Sequence, residues 1–211
     1  MSMKYISIPV TPFEQNCSIA WCDATKESVF IDPGGDADEL IGASDAKGLK
    51  PVAIYLTHGH LDHVGGTTAL ADHYKIPIWG PHKDDAYWLE ALHKQAQMFG
   101  LPECREFAPD HWLDNGDQLV FGEEKMEVVH TPGHTPGHLV LFHRESAVVF
   151  SGDLLFRGSI GRSDFPGGDH QQLIDSIKNR LFPLGDDVRV VPGHGPETTI
   201  GEEKRTNPFV R

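Results

Sequence analysis

Short runs of apolar and β-branched residues, each bounded by glycine, proline or other turn residues, recur along the chain. Runs of this length and composition predict β-strands. We place them at 4–10, 18–21, 28–31, 52–56, 76–79, 118–121, 126–130, 138–142, 146–150 and 188–191. The intervening stretches predict helices at 36–47, 67–74, 84–99 and 171–182. In the last of these, Leu173, Ile177 and Leu181 recur at helical spacing and define one buried face.

The order of these elements indicates the fold class. The strands come first as a meander, then alternate with helices, and the second half of the chain roughly repeats this order. Such an order predicts an α+β fold in which two sheets pack face to face with helices on the outside. No low-complexity tract or linker interrupts the 211 residues, which is the size of one domain. We therefore expect residues 1–211 to form a single domain.

The net charge limits the kinds of molecule that the protein is expected to bind, and the cysteine content indicates its compartment. There are 18 Lys and Arg residues against 31 Asp and Glu, a formal net charge of −13. This charge disfavours binding to nucleic acid or to an anionic membrane surface. No apolar run is long enough to cross a bilayer, and the N-terminus lacks the layout of a signal peptide. We expect a cytoplasmic monomer that acts on a small molecule, with its scattered cysteines reduced.

The first candidate site follows strand 52–56, where the sequence T-H-G-H-L-D-H occupies positions 57–63. On a helix, His60 would point about 200° away from His58, and the two imidazoles would not converge. In an extended or looped segment, positions 58, 60 and 62 project to one side and position 63 to another. A turn there presents His58 and His60 to one metal ion, and Asp62 and His63 to a neighbouring ion. Imidazole and carboxylate are the ligands expected for Zn²⁺ or iron.

Three further strands end in glycine-rich turns that hold metal-type ligands. The turns read T-P-G-H-T-P-G-H at 131–138, S-G-D at 151–153 and P-G-H-G at 192–195. Ligand sites gather at the carboxyl ends of strands in sheets of this kind. Spacing alone permits either His134 or His138 as the ligand of the first turn, and His130 and His138 either support ligands or are neutral. The other histidines are interpreted as surface or packing residues, namely His73, His82, His93, His111, His143 and His170.

Taken together, T-H-G-H-L-D-H, T-P-G-H-T-P-G-H, S-G-D-L-L-F and P-G-H-G resemble the motifs of the metallo-β-lactamase superfamily, and within it the glyoxalase II (hydroxyacylglutathione hydrolase) branch. The resemblance covers nearly the whole chain, with the motifs in the family's order. It implies a four-layer αβ/βα sandwich with a two-metal site at one edge of the sheets. The implied ligands are His58, His60 and His134 for the first metal ion, and Asp62, His63 and His194 for the second, with Asp153 bridging both.

The chemistry that these ligands imply is hydrolysis. Neither Gly-x-Ser-x-Gly nor His-Glu-x-x-His occurs, so the nucleophile is most simply a water molecule activated by two metal ions. Asp62 is placed to orient that water or accept its proton, which makes it the candidate catalytic residue. Zn²⁺ is the expected metal, with Fe and Mn²⁺ as alternatives. The resemblance implies hydrolysis of S-2-hydroxyacylglutathione thioesters, such as S-lactoylglutathione, to lactate and glutathione in methylglyoxal detoxification.

The sequence departs from the glyoxalase II pattern at the substrate. We expect a chain that lacks the family's long C-terminal helical extension. Arg162 stands where the family has a lysine that contacts glutathione, and a tyrosine of that site is not matched. With Lys204 and Arg205, Arg162 forms an expected basic rim for the substrate's carboxylates. Tyr87, Trp88 and Phe99 of the helix at 84–99 either line an apolar substrate wall or belong to the core.

Two other functions remain open on the sequence. The segment G-R-S-D-F at 161–165 resembles a motif of persulfide dioxygenases. Those enzymes use a single iron, which His58, His134 and Asp153 would hold here. A non-catalytic metal-binding protein of the same fold is the other alternative. Hydrolysis of β-lactams or of RNA fits less well, the latter because of the net charge.

Overall fold

The first sheet is built from the N-terminal part of the chain. A computed structural model describes residues 3–100 and 104–211. Its first sheet has five strands in the order β1-β2-β3-β4-β5. The first three strands pair antiparallel, and the last two add in parallel. The strands are β1 (Met3–Val10), β2 (Gln15–Cys22), β3 (Glu27–Ile31), β4 (Lys50–Tyr55) and β5 (Ile78–Trp79).

The second sheet has six strands in the order β13-β12-β9-β8-β7-β6, and a short hairpin of β10 and β11 projects beside it. Strands β12 and β9 pair in parallel, so their carboxyl ends lie side by side. The strands are β6 (Gln118–Phe121), β7 (Glu124–His130), β8 (Leu139–His143), β9 (Val148–Gly152), β10 (Leu155–Phe156), β11 (Ser159–Ile160), β12 (Arg189–Pro192) and β13 (Thr198–Thr199).

Seven α-helices connect and flank the strands of the described residues. They are α1 (Ala37–Ala46), α2 (Leu61–Val64), α3 (Thr67–Tyr74), α4 (Ala86–Leu89), α5 (Leu92–Phe99), α6 (His170–Ser176) and α7 (Ile200–Thr206). In residues 3–100 and 104–211, none of the helices has the length and hydropathy that a membrane span requires.

The alternation of side chains along the strands produces four layers. In β3, Val29 and Ile31 belong to the core between the sheets, whereas Phe30 faces the opposite way and packs with Leu40 of α1 and Leu70 of α3. The second sheet follows the same rule: Leu139 and Leu141 of β8 point to the first sheet, and Val140 and Phe142 pack on the side of α6 and α7. Each sheet is therefore buried on both faces, and the predicted four-layer α+β sandwich with outer helices is confirmed.

The predicted elements differ from the structure in a few places. Each predicted strand is present, with ends moved by a few residues. The prediction of one helix over 84–99 is wrong: a 3₁₀ turn at Lys83–Asp85 leads into α4, and the chain breaks at Glu90 and Ala91 before α5 begins. The helix predicted at 171–182 begins one residue earlier and continues beyond α6 as a π-helical turn at Ile177–Leu181. The short elements β10, β11, β13, α2 and α7 were not predicted, because two to seven residues give too little periodicity.

Candidate metal centre

The four ligand-bearing turns meet at one edge of the sandwich. Residues 57–60 leave the carboxyl end of β4 in the first sheet, whereas the turns after β7, β9 and β12 leave the second sheet. The second sheet brings two of them together because the Gly193 N–H donates to the Gly152 carbonyl at 2.8 Å. A bridge between Gln15 and His194 then ties the first sheet to this edge. Side chains from distant parts of the sequence thus share one small volume.

The T-H-G-H-L-D-H segment divides into two halves that face different groups. His60 has extended backbone angles and precedes α2, a single helical turn that begins at Leu61. The expectation that Asp62 and His63 lie on extended or looped backbone is therefore wrong. Burial of Leu61 and Val64, three positions apart, holds the helical turn against the core. The segment nevertheless presents its candidate ligands as two pairs. His58 and His60 lie before the helical turn, and Asp62 and His63 lie within it.

The first group consists of His58, His60 and His134, all buried. His134 Nε2 lies 3.0 Å from His60 Nδ1. The ring of His58 stands edge-on to each of the other two, with centroids 4.8 Å apart. One nitrogen from each ring lies within 4.8 Å of the others. Three imidazoles therefore converge on one point.

The second group consists of Asp62, His63 and His194. His194 Nε2 is 3.1 Å from Asp62 Oδ2, and His63 Nε2 is 3.8 Å from the same oxygen. Asp153 lies between the two groups: its Oδ1 is 3.3 Å from His63 Nε2, and its Oδ2 is 3.7 Å from His134 Nε2. The structure thus brings together all the residues predicted as metal ligands.

Hydrogen bonds on the far side of three rings determine which nitrogen faces the centre. His134 donates from Nδ1 to the Arg162 carbonyl at 2.7 Å, and His194 donates from Nδ1 to the Phe13 carbonyl at 3.2 Å. His63 donates from Nδ1 to Asp32 Oδ2 at 2.9 Å. A carbonyl or a carboxylate only accepts, so Nδ1 holds a proton in each of these rings, and the neutral form of each ring directs the lone pair of Nε2 to the centre. Such bonds orient histidine ligands in metal sites.

The tautomer of His58 follows from a relay through Thr57. The Thr57 hydroxyl donates to Asp32 Oδ2 at 2.5 Å, so it accepts the proton of His58 Nδ1 at 3.0 Å. The Thr57 N–H donates to Asp32 Oδ1 at 2.7 Å. Asp32 therefore supports one ring of each group. Asp32 is not among the residues predicted from the sequence, although it directly follows β3 and precedes Pro33-Gly34-Gly35, much as the ligand turns follow their strands.

The pKa shifts differ between the two groups. Burial lowers the pKa of His60 to about 3 and lowers the pKa of His58 and of His134, so these imidazoles are neutral. Burial opposes charge in the second group too, but the nearby carboxylates of Asp153 and Asp62 outweigh it and raise the pKa of His63. The imidazole of His63 in turn lowers the pKa of Asp153 well below its usual range against the effect of burial.

The buried atoms without partners test whether metal ions fit this centre. His58 Nε2, His63 Nε2 and Asp153 Oδ1 are buried and accept no hydrogen bond from the described residues. An unsatisfied buried polar atom costs about 1–3 kcal/mol, so several at one point require an explanation. Bound cations would explain them, because a cation accepts these lone pairs. The imidazole and carboxylate donors suit Zn²⁺, Fe and Mn²⁺. The residues present therefore fit a site for two metal ions.

His138 lies behind the centre and does not join either group. The Asp153 N–H donates to His138 Nε2 at 3.1 Å, so Nδ1 holds the ring proton and donates to the Thr131 hydroxyl at 3.0 Å. Of the two histidines that spacing permitted, the structure brings His134 to the first group and uses His138 to hold the backbone of Asp153. His130 is more distant: it donates to the Pro136 carbonyl and stacks on His82 at 4.4 Å.

A buried carboxylate that the sequence analysis missed connects two ligand turns. Asp85 accepts from the Gly59 N–H at 3.0 Å, from the Gly137 N–H at 2.6 Å and from the Thr135 hydroxyl at 2.7 Å. Gly59 lies between His58 and His60, and Thr135 and Gly137 lie one and three positions after His134. No motif marks Asp85, because it lies in a stretch that reads as helix. Burial raises the pKa of Asp85 to about 6.

Close packing at the centre leaves no room for side chains at two glycines. A Cβ at Gly193 would lie 2.3 Å from Asp153 Oδ1, and a Cβ at Gly34 would lie 1.6 Å from the Asp62 carbonyl oxygen. Both distances are far inside van der Waals contact. The glycines at these turns therefore allow the backbone to approach the ligands.

The metal centre forms the floor of a cavity of about 570 Å³. His60, Asp62, His134, Asp153 and His194 reach this cavity. Apolar side chains dominate the walls. Trp88 and Phe99 are among them, which agrees with the interpretation that they line a substrate wall, whereas Tyr87 does not line the cavity. The aromatic wall residues are Phe13, Trp88, Phe99, Phe156 and Phe165.

The cations of the expected basic rim occupy different places. Arg162 lines the cavity, but it pairs bidentately with Asp164 at 2.9 and 2.8 Å and lies over the Phe165 ring. Lys204 pairs with Asp186, and Arg205 pairs with Glu202 at 2.7 Å. Neither Lys204 nor Arg205 is among the residues that line the cavity. The structure does not bring the three together, so no shared rim exists in the described residues.

The fold and the site define the class of protein. The model of the metallo-beta-lactamase superfamily matches residues 10–194, and the chain belongs to this superfamily. Among individual relatives, the chain is 48% identical over 204 residues to hydroxyacylglutathione hydrolase GloC of Haemophilus influenzae, with 96% of each chain covered.

Two solved structures are similar over almost their full length. The BLEG-1 B3 metallo-beta-lactamase superposes with a TM-score of 0.91 at 42% identity, covering 98% of this chain and 99% of that one. TTHA1623, solved in a di-iron-bound form, superposes with a TM-score of 0.88 at 41% identity, covering 97% and 99%. The two groups of His and Asp residues and the di-iron form of TTHA1623 suggest a dinuclear centre, and the identity of its metal stays open.

Proposed function

We propose that the protein hydrolyses S-2-hydroxyacylglutathione thioesters, with S-lactoylglutathione as the test substrate. One observation supports this most directly: two groups of ligand atoms, with Asp153 between them, form the floor of a cavity with aromatic walls. When bound, two metal ions lower the pKa of water and stabilise negative charge on a carbonyl oxygen. His58, His60 and His134 would hold one ion, Asp62, His63 and His194 the other, and Asp153 both.

Asp62 is the residue we assign to proton handling. Burial opposes ionisation of this carboxyl, but the imidazole of His63 and the hydrogen bond from His194 outweigh burial and lower the pKa of Asp62. The side chain also borders the cavity, so it orients the attacking water and accepts its proton. A thiolate is a good leaving group, and the reaction therefore needs no strong general acid.

The cavity walls support the proposed reaction by excluding bulk water from the site. Trp88 and Phe165 stand edge-on to His60 or His134, with ring centroids 4.5 to 5.8 Å away. In such a water-poor surrounding, the charges of Asp62 and Asp153 act more strongly on a substrate than they would in bulk solvent. The apolar walls also suit the methylene and sulfur atoms next to a thioester.

The comparisons support the same class of reaction. The relative at 48% identity is called a hydroxyacylglutathione hydrolase, and the match extends over 96% of both chains. Zn²⁺ is our first choice of metal, and the di-iron form of TTHA1623 makes iron the alternative. Hydrolysis of β-lactams is a second candidate, because one structure at 42% identity is called a B3 metallo-beta-lactamase.

The test is a substrate comparison on protein of measured metal content. Zinc-loaded and iron-loaded protein are each assayed with S-lactoylglutathione, with a chromogenic cephalosporin, and for oxygen uptake with glutathione persulfide. We expect thioester hydrolysis to exceed the other two activities. Asp62→Asn should remove the activity and leave the fold intact. Asp84 is an exposed acid outside the centre, so Asp84→Asn should keep the activity of the wild type. Oxygen consumption with one iron per chain and no thioesterase activity would overturn the proposal in favour of a persulfide dioxygenase.

A further inference from the structure

The cavity contains a cation that the ligand motifs do not reveal. Lys94 lines the same cavity as Asp62 and His134, and among the described residues it has no ion-pair partner. Arg162, the other cation on the wall, is already bound by Asp164 through two short contacts. Among the described residues, Lys94 is therefore the cation of this cavity that remains available to a ligand.

The position of Lys94 is fixed by the helix that holds it. In α5, Lys94, Gln95 and Met98 line the cavity, together with Ala91 directly before the helix, and this is the spacing of one helix face. Gln95 accepts the Leu61 N–H at 3.0 Å and donates to the Trp88 carbonyl at 2.8 Å. Leu61 lies between the ligands His60 and Asp62, so this hydrogen bond fixes Lys94 relative to the metal centre.

The surroundings of Lys94 are apolar. Met98 is 79% exposed and Phe99 is 50% exposed, and Phe13 meets Phe99 edge-on with centroids 5.6 Å apart. Exposed apolar groups that adjoin a cavity mark a ligand surface. An ammonium group beside them recognises a molecule with an apolar middle and an anionic end.

We propose that Lys94 binds a carboxylate of the thiol part of the substrate, and that this contact makes the enzyme selective for acidic thioesters. The inference rests on the proposed function. The glutathione moiety has two carboxylates, and its thioester has to reach the floor of the cavity while one end remains near the mouth. Lys94 then contributes to binding but not to the chemical step.

The test separates binding from chemistry in the metal-loaded enzyme. Lys94→Gln should raise KM for S-lactoylglutathione by roughly two- to fivefold with kcat nearly unchanged, since an exposed ion pair is worth that much. Hydrolysis of the lactoyl thioester of N-acetylcysteamine, which has no carboxylate, should not change. Lys178→Gln, an exposed lysine that does not line the cavity, is the matched control.

A binding measurement keeps the inference testable without turnover. S-methylglutathione, which cannot be hydrolysed, should bind Lys94→Gln more weakly than wild type by the same factor, and Lys94→Glu more weakly still. If neither thioester is hydrolysed by the wild type, the proposed function fails, and this titration still tests Lys94. Equal affinity for S-methylglutathione in wild type and Lys94→Gln, or an equal loss with both thioesters, would overturn the inference.

Discussion

Removing the Asp85 carboxylate should weaken the metal centre, although Asp85 is not one of the proposed ligands. It accepts hydrogen bonds from Gly59, Thr135 and Gly137, so it joins the turn of His58 and His60 to the turn of His134. Asp85→Ala would leave these donors buried without an acceptor. We expect both lower stability and lower metal affinity.

The magnitude follows from two opposing contributions. Each buried donor left unsatisfied costs about 1–3 kcal/mol, so three cost roughly 3–9 kcal/mol. Against this, burial raises the pKa of Asp85 from 3.8 to about 6, which means that keeping the carboxylate ionised at neutral pH costs about 3 kcal/mol. The net expectation for Asp85→Ala is a loss of about 3 kcal/mol in the free energy of unfolding. Metal affinity should fall about 10- to 100-fold, as for other residues that orient ligands.

Chemical denaturation of the metal-free protein and calorimetric titration with Zn²⁺ measure the two quantities. Asp84→Ala is the matched control, because Asp84 is the neighbouring acid, has an exposed side chain and contacts His82 instead of the ligand turns. It should change stability by less than about 1 kcal/mol. If Asp85→Ala and Asp84→Ala have the same stability and the same zinc affinity, the structural role assigned to Asp85 is wrong.

Three further predictions follow from the same structure. The pKa of Asp85 is raised to about 6. Between about pH 4 and 6, the folded chain therefore keeps a proton on Asp85 that the unfolded chain has lost. The stability advantage of wild type over Asp85→Ala should shrink by up to about 3 kcal/mol as the pH rises through this window. His138→Leu removes the acceptor of the Asp153 N–H and should lower zinc affinity by about 10- to 100-fold in calorimetry. Glu203→Ala leaves the buried donors Thr198 and Asn207 without their acceptor and should cost about 2–6 kcal/mol in urea denaturation, at about 1–3 kcal/mol for each donor.

Each of these has a control and a contradicting outcome. A constant difference between wild type and Asp85→Ala across pH 4–7 would contradict the first. His170→Leu, at an exposed position of α6, should keep the zinc affinity of wild type, and equal losses in both histidine variants would count against His138. Glu202→Ala breaks only an exposed pair with Arg205, so a Glu203→Ala protein as stable as this control would refute the third.

The candidate ligands can be located from the sequence because the turns that hold them follow strands. His58, Asp153 and His194 come directly after short apolar runs, and the end of such a run is visible without any tertiary information. The layers were predictable for the same reason, since alternating apolar residues such as Val29, Phe30 and Ile31 define both faces of a strand.

What the sequence does not reveal are the residues whose role depends on packing between distant segments. Asp85 and Lys94 lie in a stretch that reads as a continuous helix, and only the break at Glu90 and Ala91 brings both α4 and α5 against the centre. The prediction of a shared basic rim was wrong for a related reason. Lys204 and Arg205 pair with acidic residues on or near their own helix, and the positions of cations along the chain do not show which acidic residues they pair with.

We propose that two metal ions are held by separate groups of residues joined by Asp153. Calorimetric titration of the metal-free protein with Zn²⁺, checked by elemental analysis, counts these ions. We expect two ions per chain in wild type, and one tightly bound ion in each of His134→Gln and His194→Gln. A wild-type protein that binds a single ion, or variants that both retain two with unchanged affinity, would contradict it.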